Sequence, residues 1–257
     1  MKRSISAFVE EPAEAPRSVA EGAYHLIRQD IVWGRLSANM PLRSDDLRKK
    51  YQVGISPLRE ALSRLVGERL VTTVAQRGFR VAALSAEDVL DIMETRLVIE
   101  REALSRSIQA GDLAWEREVV ANYHALSRLA IPTGPGRNAE LWTSLHRQFH
   151  MSLLGASGSR WQVELSAHLF DHAERYRVVR AVIVPRPKLI RDIASEHKRL
   201  FDAVLSRNVR AALKALDHHY RATAESVVAA LRHAPRLETA QKRRPARGAT
   251  RGIRSNN

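Results

Sequence analysis

The sequence predicts a mostly α-helical protein with two domains, and three observations support this fold class. Hydrophobic residues recur at helical spacing through most of residues 19–233, whereas one short stretch near residues 70–83 alternates as strands do. The chain has 257 residues, of which 44% are hydrophobic, and single domains usually have about 100–200 residues. Turn-forming residues separate three helical segments and a hairpin from about six further helices. We therefore expect a small N-terminal domain at residues 18–84 and an all-helical bundle at residues 85–234.

The two ends of the chain differ from the region between them. Residues 1–17 contain proline and small-residue breaks without sustained periodicity, so we expect a disordered arm. From Pro235 onwards the chain has seven lysine or arginine residues and one acid, Glu238. A segment with so few apolar residues does not bury enough surface to fold, so residues 235–257 are expected to form a disordered basic tail.

Charge and composition limit the classes of function. The formal net charge of +14 favours a nucleic acid as partner, because a basic surface attracts phosphates and gains from counterion release. The chain has no cysteine, which excludes disulfides, thiolate metal sites and cysteine nucleophiles. No apolar run approaches the roughly 20 residues that span a bilayer, and the N-terminus lacks the apolar core of a signal peptide. We expect a cytoplasmic protein that does not enter a membrane.

Within residues 44–66 the sequence predicts two short helices joined by a tight turn at Val53 and Gly54. Ser44 is expected to cap the first helix, and Ser56, followed by Pro57, is expected to cap the second. The second helix has a buried stripe and an outward face that suits the major groove of DNA. The stripe consists of Leu58, Leu62 and Leu65, and the outward face carries Arg59, Ser63 and Arg64.

A basic hairpin follows these helices. The stretches LVTTV and FRVAA predict two strands, and Gly78 is expected to take the positive φ that the connecting turn needs. Gln76 and Arg77 would then lie at the tip of a wing. Pairs of packed helices also occur without DNA binding, but a capped helix, a basic outward face and a basic hairpin together favour a DNA-binding winged helix-turn-helix.

Beyond residue 85 the predicted helices are separated by five breaks. Ser85, with Asp88 three residues later, has the pattern of an N-terminal cap for the first of these helices. The breaks lie at Gly111-Asp112, residues 131–138, residues 155–159, Pro185/Pro187 and Arg207-Asn208. No alternating pattern indicates a strand here, so the expected architecture is a bundle of about six helices.

The chain has ten histidines, which raises the question of a metal site, and their spacing indicates which of them are candidate ligands. His146 and His150 lie four positions apart, so both imidazoles project from one face of a helix at a distance suited to one ion. His197 and His219 lie on two later helices. His168 and His172 have the same spacing as the first pair.

The chain resembles the GntR superfamily of transcriptional regulators. The N-terminal resemblance lies in the run SPLREALSRLVGERLV, in RGFRV, and in Tyr24, Ile27, Ile31, Gly34, Leu42, Leu47 and Val53. The segment ETRLVIE at residues 94–100 is similar to the first helix of the FCD ligand-sensing domain in the FadR-type branch. The resemblance implies a homodimeric regulator, not an enzyme, that binds an inverted-repeat operator. A repressor released by a small organic acid is the function we expect.

The resemblance also implies roles for DNA-binding residues and shows three departures. It implies that Ser56 and Arg59 contact DNA, and that Arg64, Arg77 and Gly78 lie near phosphates or the minor groove. The family's Pro-Gly pair before the helix-turn-helix is Ala38-Asn39 here, its turn glycine is Gln52, and its Ser-Arg pair is Gly54-Ile55. The operator sequence should therefore differ from those of relatives.

In the FCD pattern a metal ion is held by an aspartate and three histidines. The resemblance places His150, His197 and His219 at the histidine positions and His146 at the aspartate position. Zinc or nickel suits such an all-nitrogen set, and His168 and His172 match no ligand position. Because a neutral imidazole replaces a carboxylate, we expect the ion to attract an anionic effector more strongly.

Two arginines are candidates for holding a carboxylate effector, because a guanidinium binds a carboxylate through two hydrogen bonds. These are Arg96 and Arg175, on helices expected to line the cavity. Alternatively, each arginine forms an ion pair on a helix surface, Arg96 with Glu100 and Arg175 with Asp171.

Three other interpretations remain open. A polar network without metal is one, since some relatives fill this cavity in that way. A metal-dependent hydrolase that uses three or four histidines is another, but the sequence lacks an H-E-x-x-H motif and a well-placed glutamate. A nucleoid or RNA-binding protein that relies on the basic tail would leave a domain of about 150 residues without a purpose.

Overall fold

The computed structural model describes residues 18–132, 136–183 and 191–233. The expected N-terminal arm, the basic tail and the break at Pro185 and Pro187 lie outside the described residues. In the described ranges no helix combines the length and the low polarity needed to cross a bilayer.

The N-terminal domain is a winged helix-turn-helix, as the sequence predicts. Its helices are α1 (Val19–Val32), α2 (Ser44–Tyr51) and α3 (Ile55–Gly67). Its strands are β1 (Pro41–Leu42), β2 (Val71–Val74) and β3 (Gly78–Val81), which form an antiparallel sheet in the order β1-β3-β2. Strand β1 was not predicted, because two residues are too few to show alternation.

The core of this domain forms around α3. Leu58, Leu62 and Leu65 are completely buried, as predicted, and they share one cluster with Ile27 of α1 and Leu70 before β2. Burying a leucine side chain stabilises a fold by roughly 1.5–3 kcal/mol. This stripe therefore fixes which face of α3 points to solvent.

Both predicted serine caps are wrong by one or two positions. Helix α2 begins at Ser44 itself, with Arg43 as N-cap, and α3 begins at Ile55, with Gly54 as N-cap. Neither cap residue makes a side-chain cap hydrogen bond. Ser56 and Pro57 lie inside the first turn of α3, where proline is tolerated because that backbone N–H has no partner in the helix.

Four non-glycine residues take the left-handed backbone conformation in the turns of this domain: Asn39, Gln52, Arg69 and Gln76. Gln52 ends α2 with φ of 54°, and Asn39 precedes β1 with φ of 63°. Both occupy positions where the family resemblance expects glycine. In the wing, Gln76 has φ of 57° and Gly78 has φ of 83°, so the predicted glycine is joined by a residue that the sequence did not indicate.

The described part of the second domain consists of six helices, as the sequence predicts. They are α4 (Ala86–Ala110), α5 (Leu113–Ser127), α6 (Arg137–Leu153), α7 (Arg160–Ile183), α8 (Ile193–Leu205) and α9 (Val209–His233). Ser85 caps α4, since its Oγ accepts the N–H of Asp88 at 3.0 Å. The core includes the completely buried rings of Phe149 and Tyr176.

The two domains meet where α1 packs against α7. Arg28 of α1 donates to Asp171 of α7 at 2.8 Å and to Glu68, at the end of α3, at 3.0 Å. A side chain on Gly34 would place its Cβ 3.0 Å from Val178 of α7, so glycine permits the close approach of this turn. The junction therefore joins helix α7 directly to the DNA-binding domain.

Candidate metal and effector site

Four buried histidines from three helices converge inside the second domain. Helix α6 provides His146 and His150, α8 provides His197, and α9 provides His219. One ring nitrogen from each lies within 4.8 Å of the others. The Nε2 atoms of His150 and His197 are 3.4 Å apart. Two nitrogens on a tetrahedral zinc ion, each bonded at about 2.05 Å, would be about 3.3 Å apart.

These imidazoles are held in the neutral form that binds metals. Burial lowers the pKa of His146, His150 and His197 well below the usual value, and the neighbouring histidines lower each pKa further. Burial likewise lowers the pKa of His219. Because the rings are neutral, each keeps a lone pair that can bind a cation.

A carboxylate orients one of the four rings. The His219 Nδ1 lies 2.8 Å from Glu196 Oε2, so an Nδ1–H that donates to this carboxylate leaves the Nε2 lone pair free. Burial alone would raise the pKa of Glu196, but hydrogen bonds from His219 and Arg191 together lower it to about 2. Glu196 is therefore ionised and can hold His219 in this tautomer.

Unpartnered ring nitrogens test whether the cluster fits a metal. The Nδ1 atoms of His146 and His150 are buried and have no hydrogen-bond partner among the described residues. A buried polar atom without a partner costs about 1–3 kcal/mol. Because the Nε2 of His150 faces His197, an ion bound there would leave the Nδ1 of His150 without a partner, so the fit to a metal rests on the four buried ring nitrogens that lie within 4.8 Å of one another. Four neutral nitrogens fit zinc or nickel, whereas calcium and magnesium prefer oxygen ligands.

Three arginine–glutamate pairs surround the histidines. Arg96 donates to Glu100 at 2.7 Å, Arg177 donates to Glu174 at 2.8 Å, and Arg191 donates to Glu196 at 2.7 Å. The three guanidinium groups and three carboxylates sum to no net charge. An anion that enters the cavity must therefore share an arginine with a carboxylate that is already bound to it.

The cavity beside the histidines is small. Its volume is about 30 Å³, and its lining includes Arg96, Arg177, Arg191, Trp142 and Phe170. This is room for an ion and one or two water-sized groups. The Trp142 ring stacks on His146 with centroids 4.4 Å apart, and the Arg177 guanidinium lies 4.4 Å from the Trp142 centroid. An organic acid would therefore require the walls to move apart.

The structure separates the two arginines that sequence reasoning assigned to the effector. Arg96 lines the cavity and pairs with Glu100, as the alternative interpretation proposed, but the pair is buried and not on a surface. Arg175 does not line the cavity, because its Nη2 donates to the Ala82 carbonyl at 2.8 Å at the domain junction. Residues 175 and 177 lie about 200° apart around a helix, so Arg177 faces the cavity instead.

Sequence reasoning missed Trp142, Arg177 and Arg191 as lining residues. Arg177 has a signal in the sequence, because it continues a face of α7 with the spacing of Phe170, Ala173 and Glu174. Arg191 has no such signal, because its position depends on how the chain returns from α7 to α8. The second histidine pair is separate from the cluster: His172 is buried at the domain junction, with its ring 4.8 Å from that of His168.

The predicted DNA-contacting residues are exposed on the first domain. Ser56, Arg59 and Ser63 lie on the outward face of α3, and Gln76, Arg77 and Gly78 form the tip of the wing. Arg64 is also exposed, but its guanidinium lies 4.0 Å from the centroid of the Tyr24 ring. A contact between Arg64 and a phosphate would have to compete with this cation–π interaction.

Two family profiles match the chain. The profile described as "Bacterial regulatory proteins, gntR family" matches residues 19–81, and the profile described as "FCD domain" matches residues 91–222. The first match covers the winged helix-turn-helix. The second covers the four histidines and most of the helical domain.

Individual relatives and structures agree with these profiles. The chain is 38% identical to the HTH-type transcriptional regulator BphR of Paraburkholderia xenovorans over 210 residues, which cover 81% of this chain and 84% of that protein. It is 35% identical to the HTH-type transcriptional repressor GlaR of Escherichia coli, with 76% and 90% covered. In fold it is similar to McbR/YncC of E. coli, with a TM-score of 0.68 and 16% identity over 82% of this chain and 97% of that one. A GntR regulator from Rhodococcus gives a TM-score of 0.65 and 20% identity, with the same coverage.

Proposed function

The chain belongs to the GntR family of bacterial regulatory proteins and carries an FCD domain, and we propose that it is a repressor that leaves its operator when a small organic acid binds beside a metal ion. As a member of this family it is a DNA-binding transcriptional regulator and not an enzyme. The printed name of the E. coli relative, a transcriptional repressor, supports repression as the mode of control.

The observation that carries the proposal is the convergence of four neutral, buried imidazoles on one point. A bound zinc or nickel ion would supply a positive centre with an open coordination position for a carboxylate. The proposed ligands are His150, His197 and His219, with His146 as the fourth. Glu196 orients His219 through the 2.8 Å hydrogen bond.

A small carboxylic acid is the effector class that suits this cavity. Arg96 and Arg177 line it, and each could share its guanidinium between the carboxylate of the effector and the glutamate that it already binds. The volume of about 30 Å³ favours a compact molecule over a long acyl chain. Trp142, which lies between Arg177 and His146, is the side chain that such a molecule would displace first.

On the DNA side, we propose that Arg59, Ser56 and Ser63 contact base edges in a major groove, while Gln76, Arg77 and Gly78 lie along the DNA backbone.

A homodimer would place two such domains on an inverted repeat in the cytoplasm. Two large hydrophobic side chains suit a contact with a second copy, since Val98 of α4 is 76% exposed and Trp161 of α7 is 75% exposed.

A hydrolase that uses the same histidines is not favoured. Such an enzyme needs a free carboxylate to accept a proton from a bound water. Glu174 and Glu196 lie closest to the ligands, and both are already paired with arginines. The named relatives are regulators as well.

Metal analysis tests the proposal. We expect protein purified without chelators or nickel resin, then reconstituted with zinc or nickel, to hold one ion per chain. His197→Ala and His219→Ala should lose the ion, whereas His168→Ala should keep it, because His168 lies outside the cluster. Zinc at 100 times its Kd would add about 2.7 kcal/mol, which corresponds to roughly 5–10 °C in Tm for a domain of this size.

One substitution examines the charge of the site separately. His146→Asp should keep the metal and lower the affinity for a carboxylate, because the added negative charge offsets part of the ion's attraction. A metal-free wild type after reconstitution would show that the cluster is a polar network. Equal metal content in wild type, His197→Ala and His219→Ala would exclude these ligands.

A further inference from the structure

Helix α7 contacts the cavity with one face and the DNA-binding domain with another. Phe170, Glu174 and Arg177 line the cavity, at the spacing of one helical face. Asp171 and Arg175 lie about 100° around the helix and bind groups at the domain junction. A movement of α7 that widens the cavity would therefore also move its contacts with the first domain.

Asp171 occupies a special position on this helix because its carboxylate joins three elements. Its Oδ2 accepts from Arg28 of α1 at 2.8 Å, and its Oδ1 accepts from Arg147 of α6 at 2.9 Å. The Asp171 side chain is only 7% exposed. Two arginines from different domains thus share one nearly buried carboxylate.

The two arginines connect Asp171 to the proposed recognition helix and to the helix that carries two of the histidines. Arg28 also donates to Glu68 at 3.0 Å, and Glu68 is the C-cap of α3, the proposed recognition helix. Glu68 accepts a further hydrogen bond from the Tyr24 hydroxyl. On the other side, Arg147 follows His146 in the sequence, so the helix that holds Arg147 also holds two of the four histidines.

We propose that Asp171 is the positioning residue that couples the histidine cavity to the recognition helix. This inference rests on the proposed function, because it names how occupancy of that cavity reaches the DNA-binding face. When α6 and α7 move apart to admit a ligand, Arg147 and Arg28 no longer share the carboxylate in the same geometry. Because a nearly buried ion pair depends steeply on distance, Arg28 and the Glu68 end of α3 then shift.

A second ion pair between the domains provides a matched control. Arg35 binds Glu140 in the first turn of α6. The Arg35 side chain is about as exposed as that of Arg147, at 42% against 41%, but the side chain of Glu140 is 29% exposed and that of Asp171 only 7%. This pair also joins the two domains, yet solvent screens it and it does not contact α7. Glu140→Gln therefore removes an interdomain charge pair without removing the proposed coupling.

The test measures hydrogen exchange of the backbone amides in α1 and α3 of the full-length protein under two perturbations of the cavity. The first is loading with zinc ion alone. The second is Phe170→Leu, which shortens a cavity-lining ring and needs no metal. Each perturbation is applied to wild type, Asp171→Asn and Glu140→Gln. Zinc affinity and Tm are measured for all three proteins.

We expect each perturbation to change exchange rates in α1 and α3 by threefold or more in wild type and in Glu140→Gln. In Asp171→Asn the change should fall below 1.5-fold, while zinc affinity stays within threefold of wild type. An Asp171→Asn protein that has a lower Tm but responds fully would have lost only stability, and the coupling role would be refuted. A wild type whose α1 and α3 respond to neither perturbation would refute it too. If wild type binds no zinc, the metal site is wrong, and the Phe170→Leu comparison alone decides the role of Asp171.

Discussion

Replacing His172 by glutamine should make the protein less sensitive to acid. His172 is buried on α7 at the domain junction, and burial is the main cause that lowers its pKa to about 4. The positive charges of His168 and Arg175 lower the pKa further, while the backbone of Glu68 and the charge of Asp88 raise it slightly. In the folded protein the ring is therefore neutral at pH values where an unfolded histidine is charged.

The sign and size of the effect follow from this difference in pKa. Between pH 6.5 and pH 4 the His172 ring is protonated in the unfolded chain but neutral in the folded protein. The free energy of unfolding therefore falls as the pH falls through this range. At pH 8 the ring is neutral in both the folded and the unfolded state, so His172 then has no effect of this kind on the free energy of unfolding. At pH 5, about 1.5 pH units below the unfolded pKa, the loss is about 2 kcal/mol, since each pH unit contributes about 1.4 kcal/mol.

Urea unfolding at pH 8 and pH 5 measures this loss. Burial also lowers the pKa of the cavity histidines, so they add to the acid sensitivity, and the informative quantity is the difference between wild type and His172→Gln at each pH. We expect wild type to lose about 2 kcal/mol more than His172→Gln between the two pH values. His124→Gln is the control, because His124 is exposed on α5 and is not among the groups that shift the pKa of His172. Equal losses in wild type and His172→Gln would refute the reasoning.

Four further substitutions test the fold and the DNA face. Gln52→Gly should raise the free energy of unfolding by roughly 0.5–1 kcal/mol, because relief of the left-handed conformation outweighs the added entropy of glycine in the unfolded chain; an unchanged urea midpoint would contradict this. Gly111→Ala should cost about 1–3 kcal/mol, because its Cβ would overlap the Trp115 ring and lie 2.6 Å from the Ser107 carbonyl oxygen. Gly155→Ala, whose nearest contact would be 3.4 Å, should leave the urea midpoint nearly unchanged. Arg59→Ala should weaken binding to an operator selected in vitro by about 5- to 150-fold at fixed salt, with Tm and metal content unchanged; wild-type affinity in a gel-shift titration would exclude this contact.

Most of the fold could be predicted because its elements have long, regular patterns. The buried stripe of α3 consists of Leu58, Leu62 and Leu65, whose helical spacing is visible in a single sequence. The cap at Ser85 is also visible, because Asp88 follows it at the spacing of a capping pattern. Helix starts were less predictable: Ser56 has the right chemistry for a cap, but α3 begins at Ile55, and its N-cap is Gly54, two residues before the predicted cap. Local preference cannot decide between these starting points, because Gly54 and Ser56 both suit the position.

The candidate site was predictable where its residues share a helix and less so where they do not. His146 and His150 lie one turn apart on α6, so their common direction follows from helix geometry alone. The choice of Arg175 failed for the same geometric reason, because two residues of shift on α7 turn a side chain from the cavity to the domain junction. A sequence shows the periodicity of a helix, but it does not show which neighbour each face meets.

The ring of paired charges around the histidines has a consequence for how an effector would bind. Arg96, Arg177 and Arg191 are each balanced by a glutamate, so a carboxylate that entered the metal-free cavity would add an unbalanced charge in a buried place. A divalent ion on the four imidazoles would remove that imbalance, because its ligands are neutral. Effector affinity should therefore depend on metal occupancy far more than it would if the arginines were unpaired. The three arginine–glutamate pairs would thus make the protein respond to the acid only when the metal is present.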